Sequence, residues 1–307
     1  MDALHTLLRG SIDYAGLFPP ADLDMGTAVA NFAEYRRSPH RWALGRFVVP
    51  FARLAELESA AAEHAPRAPA AEPWPLAVLL PAADVEPLRA LGEFNCRHAA
   101  DGALALSGDV VELKADSVAA VERIGGVLPR WAQAYIEVPI AEDPSPLVAA
   151  IARAGARAKV RTGGVTADAF PSAAHLARFL RACAAAGVPF KATAGLHHPL
   201  RAEYRLTYRP DSGTATMYGF LNVLLAAAWL REGLTEGEAV RLLEERDPGA
   251  IRMGPDAIEW RGRRLGREQL TRARETGIVS FGSCSFTEPI GDLDTLRFLA
   301  ADAPVSR

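Results

Sequence analysis

Only three of the 34 basic residues in this chain are lysines, Lys114, Lys159 and Lys191; the rest are arginines. Arginine keeps its proton under all ordinary conditions. A lysine ammonium can be desolvated, lose its proton and act as nucleophile or base. A sequence that uses arginine wherever surface charge suffices therefore keeps lysine where arginine cannot substitute. The chemistry in view is attack on a carbonyl carbon to form an imine, whose protonated nitrogen is an electron sink for a neighbouring carbon–carbon bond.

Each lysine lies in a short apolar run that reads as a strand, and alternation within the runs gives each side chain a face. In 110–114, Val111 and Leu113 alternate with Glu112 and Lys114. In 134–139, Ile136 and Val138 alternate with Tyr135 and Glu137. The runs 156–161 and 189–193 set Ala158, Val160, Phe190 and Ala192 against Lys159, Arg161, Lys191 and Thr193. With the apolar set beneath helices, the ionisable set points into a barrel, where charge is costly unless paired. The inward cations Lys114, Lys159, Arg161 and Lys191 outnumber the carboxylates Glu112 and Glu137. That balance predicts a small anionic substrate and lysine pKa values lowered by like-charge repulsion. A buried ion-pair network without catalysis is the competing reading.

Other candidates follow strand ends. The segment from Asp13 and Tyr14 to Pro19-Pro20 ends the first strand at the barrel mouth, so that Asp13 and Tyr14 either line the site or belong to a turn organised by the two prolines. His197 and His198 follow the seventh, where adjacent residues cannot share one face of a regular element; substrate contact or acid–base work is preferred to metal binding. Cys284, among small residues of the eighth, reads as packing rather than as a nucleophile. Glu288 and Asn222 are minor candidates for ligand contact and a polar helix contact.

The elements that must position these residues alternate as β/α units. Strands are expected at 12–18, 46–50, 76–80, 110–114, 134–139, 156–161, 189–193 and 278–283. Helical periodicity marks 25–35, 52–63, 85–97, 117–127, 146–154, 173–186 and 292–299. Eight strands with intervening helices predict a (β/α)8 TIM barrel in one domain over 1–307, with an insertion of about 200–276 between strands seven and eight. Within it, 201–213 reads as an excursion over the barrel mouth, 220–231 as an apolar helix, Thr235 to Glu238 as a capping box and 251–264 as a hairpin. The insertion's helices could cover the site, pack on the barrel or build a dimer contact.

Three short motifs on consecutive strands resemble those of class I aldolases of the deoxyribose-phosphate-aldolase type. They are Lys159-Val160-Arg161-Thr162-Gly163-Gly164, Lys191-Ala192-Thr193-Ala194-Gly195 and Phe281-Gly282-Ser283-Cys284-Ser285. The resemblance covers about a tenth of the chain and implies that Lys159 forms the imine and Lys191 tunes it or relays a proton. It also implies that backbone amides near Gly163, Gly195 and Gly282 hold a phosphate-like anion. The family's strand-four aspartate would match Asp109, a register that turns Glu112 and Lys114 outward against apolar faces and is rejected for that reason. The acid–base role stays open between Glu112 and Glu137, and Lys114 has no family counterpart.

The leading expectation is thus a Schiff-base lyase or aldolase needing no cofactor. Its rivals are a metal-assisted isomerase or dehydratase of enolase-like type, with Glu112 and Glu137 on Mg²⁺ and Lys159 as base, and a non-catalytic anion-binding barrel. A net charge of −3 gives no reason to expect nucleic acid or an anionic membrane as partner. Three widely spaced cysteines and no apolar stretch long enough for a bilayer point to a cytoplasmic protein, with a homo-oligomer left open.

Overall fold

The computed structural model describes residues 2–70, 72–81 and 84–299. Runs rich in Val, Ile, Leu and Phe form strands β1 (Ile12–Tyr14), β2 (Leu44–Pro50), β3 (Trp74–Leu79), β4 (Leu106–Lys114), β5 (Gln133–Glu137), β6 (Arg157–Arg161) and β7 (Phe190–Thr193). The chain then makes an antiparallel hairpin, β8 (Ala202–Arg205) with β9 (Thr214–Met217). A three-stranded antiparallel sheet follows, β10 (Ile251–Met253), β11 (Ala257–Trp260) and β12 (Arg263–Gly266). Strand β13 (Ile278–Ser283) returns between β7 and β1, parallel to both, and closes an eight-stranded barrel. Helices follow each of β1 to β6, so the architecture is the expected (β/α)8 barrel.

The strand phase is the one the alternation predicts. Val111, Leu113, Ile136, Ala158, Val160, Phe190 and Ala192 are buried in the shell beneath the helices. Val48, Ala77, Val110 and Tyr135 form a separate cluster in the barrel interior. Asp109 pairs with Arg46, Nη1 to Oδ1 at 2.5 Å, with its side chain nearly half exposed, while Glu112 is buried. The register that would have turned Glu112 outward is therefore not adopted.

Several boundaries differ from expectation. β1 stops at Tyr14 rather than at 18, because the chain turns back through the Phe18 N–H to Ala15 carbonyl bond. Tyr14 consequently lies beneath the helices among Phe32, Tyr35 and Phe47 and does not face the barrel interior. The last helix is Thr287–Thr295 rather than 292–299; the Ser285 hydroxyl accepts from the Glu288 amide and starts it earlier. Helix Ala3–Leu8, capped by Asp2, had no counterpart in the sequence reading.

The apolar helix Phe220–Arg231 is buried on every face over its first ten residues. It packs against β13 and against helices Ala173–Ala186, Glu236–Leu243 and Arg267–Thr276, so of its three proposed roles it takes packing on the barrel. The Thr235–Glu238 capping box is present. Asn222, the polar residue inside this helix, accepts from the Arg201 amide and donates to the Leu242 and Glu245 carbonyls.

Candidate active site

Neighbouring strands place charged residues in register. Glu137 is level with Lys159, and Lys159 with Lys191. With Glu112 on β4 and Asp13 on β1, these side chains meet in the barrel interior at the C-terminal ends of the strands, the end where barrel enzymes keep their sites.

The two lysines are held differently. Lys191 Nζ donates to Asp13 Oδ2 at 2.6 Å and to Glu112 Oε1 at 2.5 Å, and its side chain is 1% exposed. Asp13 is itself fixed by the Arg46 amide at 2.9 Å and the Ser280 hydroxyl at 2.8 Å. Burial alone would lower the Lys191 pKa, but the charges and hydrogen bonds of Asp13 and Glu112 overcome it and hold the ammonium above its ordinary range. Lys159 Nζ lies 2.9 Å from Glu112 Oε2 and 2.8 Å from Glu137 Oε2, close enough for ion pairing but off the hydrogen-bonding axis. Glu137 Oε2 is left buried without an aligned donor. Against its own burial, the charges of Lys191 and Lys159 bring the Glu112 carboxyl down to about 2. Glu137 is also lowered: burial opposes this, and Lys159, Lys114 and Arg161 outweigh it.

Two expectations are corrected by this arrangement. Lys114 is not part of the buried cluster; as the last residue of β4 it projects above the barrel, 76% exposed, with Nζ 3.6 Å from Glu137. Arg161 is likewise exposed, at the rim. The buried groups are therefore three carboxylates, Asp13, Glu112 and Glu137, against two ammoniums, Lys159 and Lys191. The interior carries no cation excess, and the Lys191 pKa moves up rather than down.

Above the cluster lies a cavity of about 200 Å³, small by the standard of ligand sites. Glu112, Lys159 and Lys191 line it, with Arg161, Gly164, Thr193, Gly195, His197, Gly282 and Cys284 around them and Phe18, Pro19, Pro20, Val48 and Leu79 as apolar wall. Ala194 also lines it with φ 66, a conformation costly for a residue bearing a Cβ and one that recurs at functional sites. Thr162 and Gly163 do not line the cavity. The Thr162 hydroxyl donates to the Ala194 carbonyl at 2.7 Å and ties the ends of β6 and β7 together. A Cβ on Gly163 would stand 2.4 Å from the Phe170 ring, so this glycine permits close packing of the loop. Ser285 caps the last helix, as described above.

His197 is buried, and burial beside His198 lowers its pKa to about 4, so it is a neutral imidazole. Its Nδ1 lies 3.2 Å from the Ser283 hydroxyl and 3.7 Å from Cys284 Sγ. Burial raises the Cys284 thiol to about 11, which keeps it protonated and agrees with a packing role. His198 stacks on Tyr204, with its Nδ1 2.6 Å from Asp292 Oδ2. Sequence reasoning missed Ser280, Tyr208 and Phe18. A serine level with inward residues of β13 was a detectable signal; nothing in the sequence signals Tyr208, whose hydroxyl donates to Glu288 Oε2 at 3.0 Å. Among the described residues no group of three or more His, Cys, Asp and Glu side chains is arranged to hold a metal ion. No protein-family model, curated protein or solved structure matches the chain.

Proposed function

We propose that this barrel is an imine-forming lyase acting on a small carbonyl compound, with Lys159 as nucleophile. The observation that carries the reading is the difference between the lysines: Lys191 is locked by aligned hydrogen bonds, whereas Lys159, at the floor of the cavity, is paired without alignment. The motif resemblance to class I aldolases supports the same choice. Glu112, facing a lysine on each oxygen and held at about 2, is a poor proton acceptor, so the base is Glu137, whose Oε2 faces Lys159 without an aligned donor. Glu137 takes the ammonium proton as the nitrogen lone pair bonds to the carbonyl carbon. It passes that proton to the alkoxide oxygen, takes a second proton from the nitrogen and delivers it to the same oxygen, which leaves as water as the nitrogen lone pair forms the iminium. The iminium accepts the electron pair of the bond between the α and β carbons as the β hydroxyl gives its proton to Glu137 and becomes the carbonyl of the departing fragment, leaving an enamine on Lys159. Lys191 stays charged. A carboxylate beside the reacting carbonyl would meet Arg161 at the rim, two residues along β6.

An enolase-like metal site is less well supported, because a cation on Glu112 and Glu137 would have to displace ammonium groups that already neutralise them. With only three lysines in the chain, borohydride reduction in the presence of glycolaldehyde or pyruvate gives an unambiguous peptide map. The expected adduct is on Lys159 and disappears in Lys159→Arg. Modification of exposed Lys114 alone would overturn the assignment.

A further inference from the structure

A second cavity of about 310 Å³ adjoins the first, and Pro20, Gly164, Gly195 and His197 belong to the walls of both. Its remaining walls come from the β8–β9 hairpin, which supplies Tyr204, Arg205, Leu206, Thr207, Tyr208 and Met217, and from His198 and Glu288. Catalysis at Lys159 uses none of these groups. Their hydrogen-bonding capacity defines what the chamber accepts.

The Ser283 hydroxyl accepts from the Ser285 amide at 3.4 Å, so its own proton is available to His197 Nδ1; the Cys284 thiol offers a second donor to the same atom. With Nδ1 accepting in this way, and Glu288 Oε2 standing 3.8 Å from it and taken up by Tyr208, the neutral His197 carries its proton on Nε2. Among the described residues nothing accepts from that Nε2, although His197 is only 8% exposed. His197 Nε2 is not among the buried atoms left without a partner, so it opens on the cavity, where a ligand oxygen can accept from it. Glu288 supplies the opposite capacity: Oε2 accepts from Tyr208, while Oε1 has only His198 Nε2 at 3.9 Å. The Thr207 hydroxyl accepts from the Arg209 amide and retains a proton to donate. The chamber thus interleaves donors with a carboxylate acceptor, beside the apolar surfaces of Leu206 and Met217.

We infer that this chamber binds an uncharged, polyhydroxylated portion of the substrate, whose other end lies at Lys159. A hydroxyl both donates and accepts, so successive hydroxyls satisfy Glu288 and His197 together. A phosphate only accepts and would meet the Glu288 carboxylate. Arg205, the only arginine or lysine among the described residues that line the chamber, is exposed to solvent, where its attraction is screened. The inference rests on the imine reading for the placement of the reacting end, but binding in the chamber can be tested without a carbonyl.

The probes are ribitol, ribitol 5-phosphate and 1-pentanol, observed by saturation-transfer NMR with the full chain. Ribitol is expected to bind at least fivefold more tightly than either comparison compound and to keep binding in Lys159→Arg. It should weaken at least fivefold in Glu288→Gln and in Tyr208→Phe, the latter removing one hydroxyl from a half-exposed side chain. Equal or tighter binding of the phosphate or the alkanol, or ribitol binding unaffected by both substitutions, overturns the inference. Failure of borohydride trapping with ribitol binding intact would instead remove the imine reading and leave the chamber standing.

Discussion

Glu112 accepts from Lys191 and pairs with Lys159 while almost fully buried, so it neutralises both ammoniums at once. Removing a partner from a buried ion pair leaves an uncompensated charge, at a cost of about 3–5 kcal/mol. Glu112→Gln is therefore expected to lower stability by about 3 kcal/mol, read by urea denaturation, whereas Lys114→Ala at the rim should change it by less than about 0.5 kcal/mol. A near-neutral Glu112→Gln would mean that Lys191 is satisfied by Asp13 alone. The contrast between these residues also marks what was legible at this scale. Lysine scarcity and strand phase located Lys159, Lys191, Glu112 and Glu137. They misplaced Lys114, because the last residue of a strand keeps its phase but has no barrel wall above it. Asp13 was legible only as one of two readings of a turn, since its role depends on contacts with Ser280 and Lys191, each more than 170 residues away in sequence.

At the scale of elements, alternation was sufficient for the barrel because each β/α unit repeats the same local pattern, and the strand it missed most, β1, ends in a turn made by three apolar residues and two prolines. The region between β7 and β13 was less legible. Its composition showed an apolar helix, but an all-round hydrophobic surface states that a helix is covered without saying by what. The structure shows how Asn222, the polar residue within its buried first two turns, is used: it joins the start of the hairpin segment at Arg201 to the end of helix Glu236–Leu243 through three hydrogen bonds. Asn222→Leu removes all three; the Leu242 carbonyl keeps the Glu245 amide, but the Arg201 amide and the Glu245 carbonyl lose their partner, each at a cost of about 1–3 kcal/mol. The variant should lose about 3 kcal/mol or more in chemical denaturation. Because the hairpin that Asn222 anchors also walls the second chamber, ribitol binding should fall with it; a stable Asn222→Leu protein with unchanged ribitol binding would show that the hairpin is held by other contacts.

For the molecule as a whole, the buried titratable groups set a pH window. Glu112 is held at about 2 against an ordinary value of 4.5, so the stability it contributes is complete above 4.5 and is lost as pH falls toward 2. His197 is neutral in the fold and held at about 4 against 6.5; its contribution is complete above 6.5 and is lost as pH falls toward 4. Lys191 is raised above 10.5, so what it contributes is complete below that pH and is lost only on further alkalinisation. With the Cys284 thiol raised from 9.0 to about 11, whose contribution is lost as pH rises above 9, these directions combine into a plateau from about pH 6.5 to 9, with an acid limb in two parts. The denaturation midpoint, measured across this range, should hold steady on the plateau, begin to fall below pH 6.5 through His197 and steepen below pH 4.5 through Glu112. His197→Gln should remove the upper part of that limb and leave the lower part in place. A midpoint flat from pH 6.5 to 4.5 in the parent chain would mean that the imidazole protonates within the fold without strain. In that case Nδ1, where the added proton goes, would already have an acceptor, and the carboxylate at hand is Glu288, with Oε2 3.8 Å away.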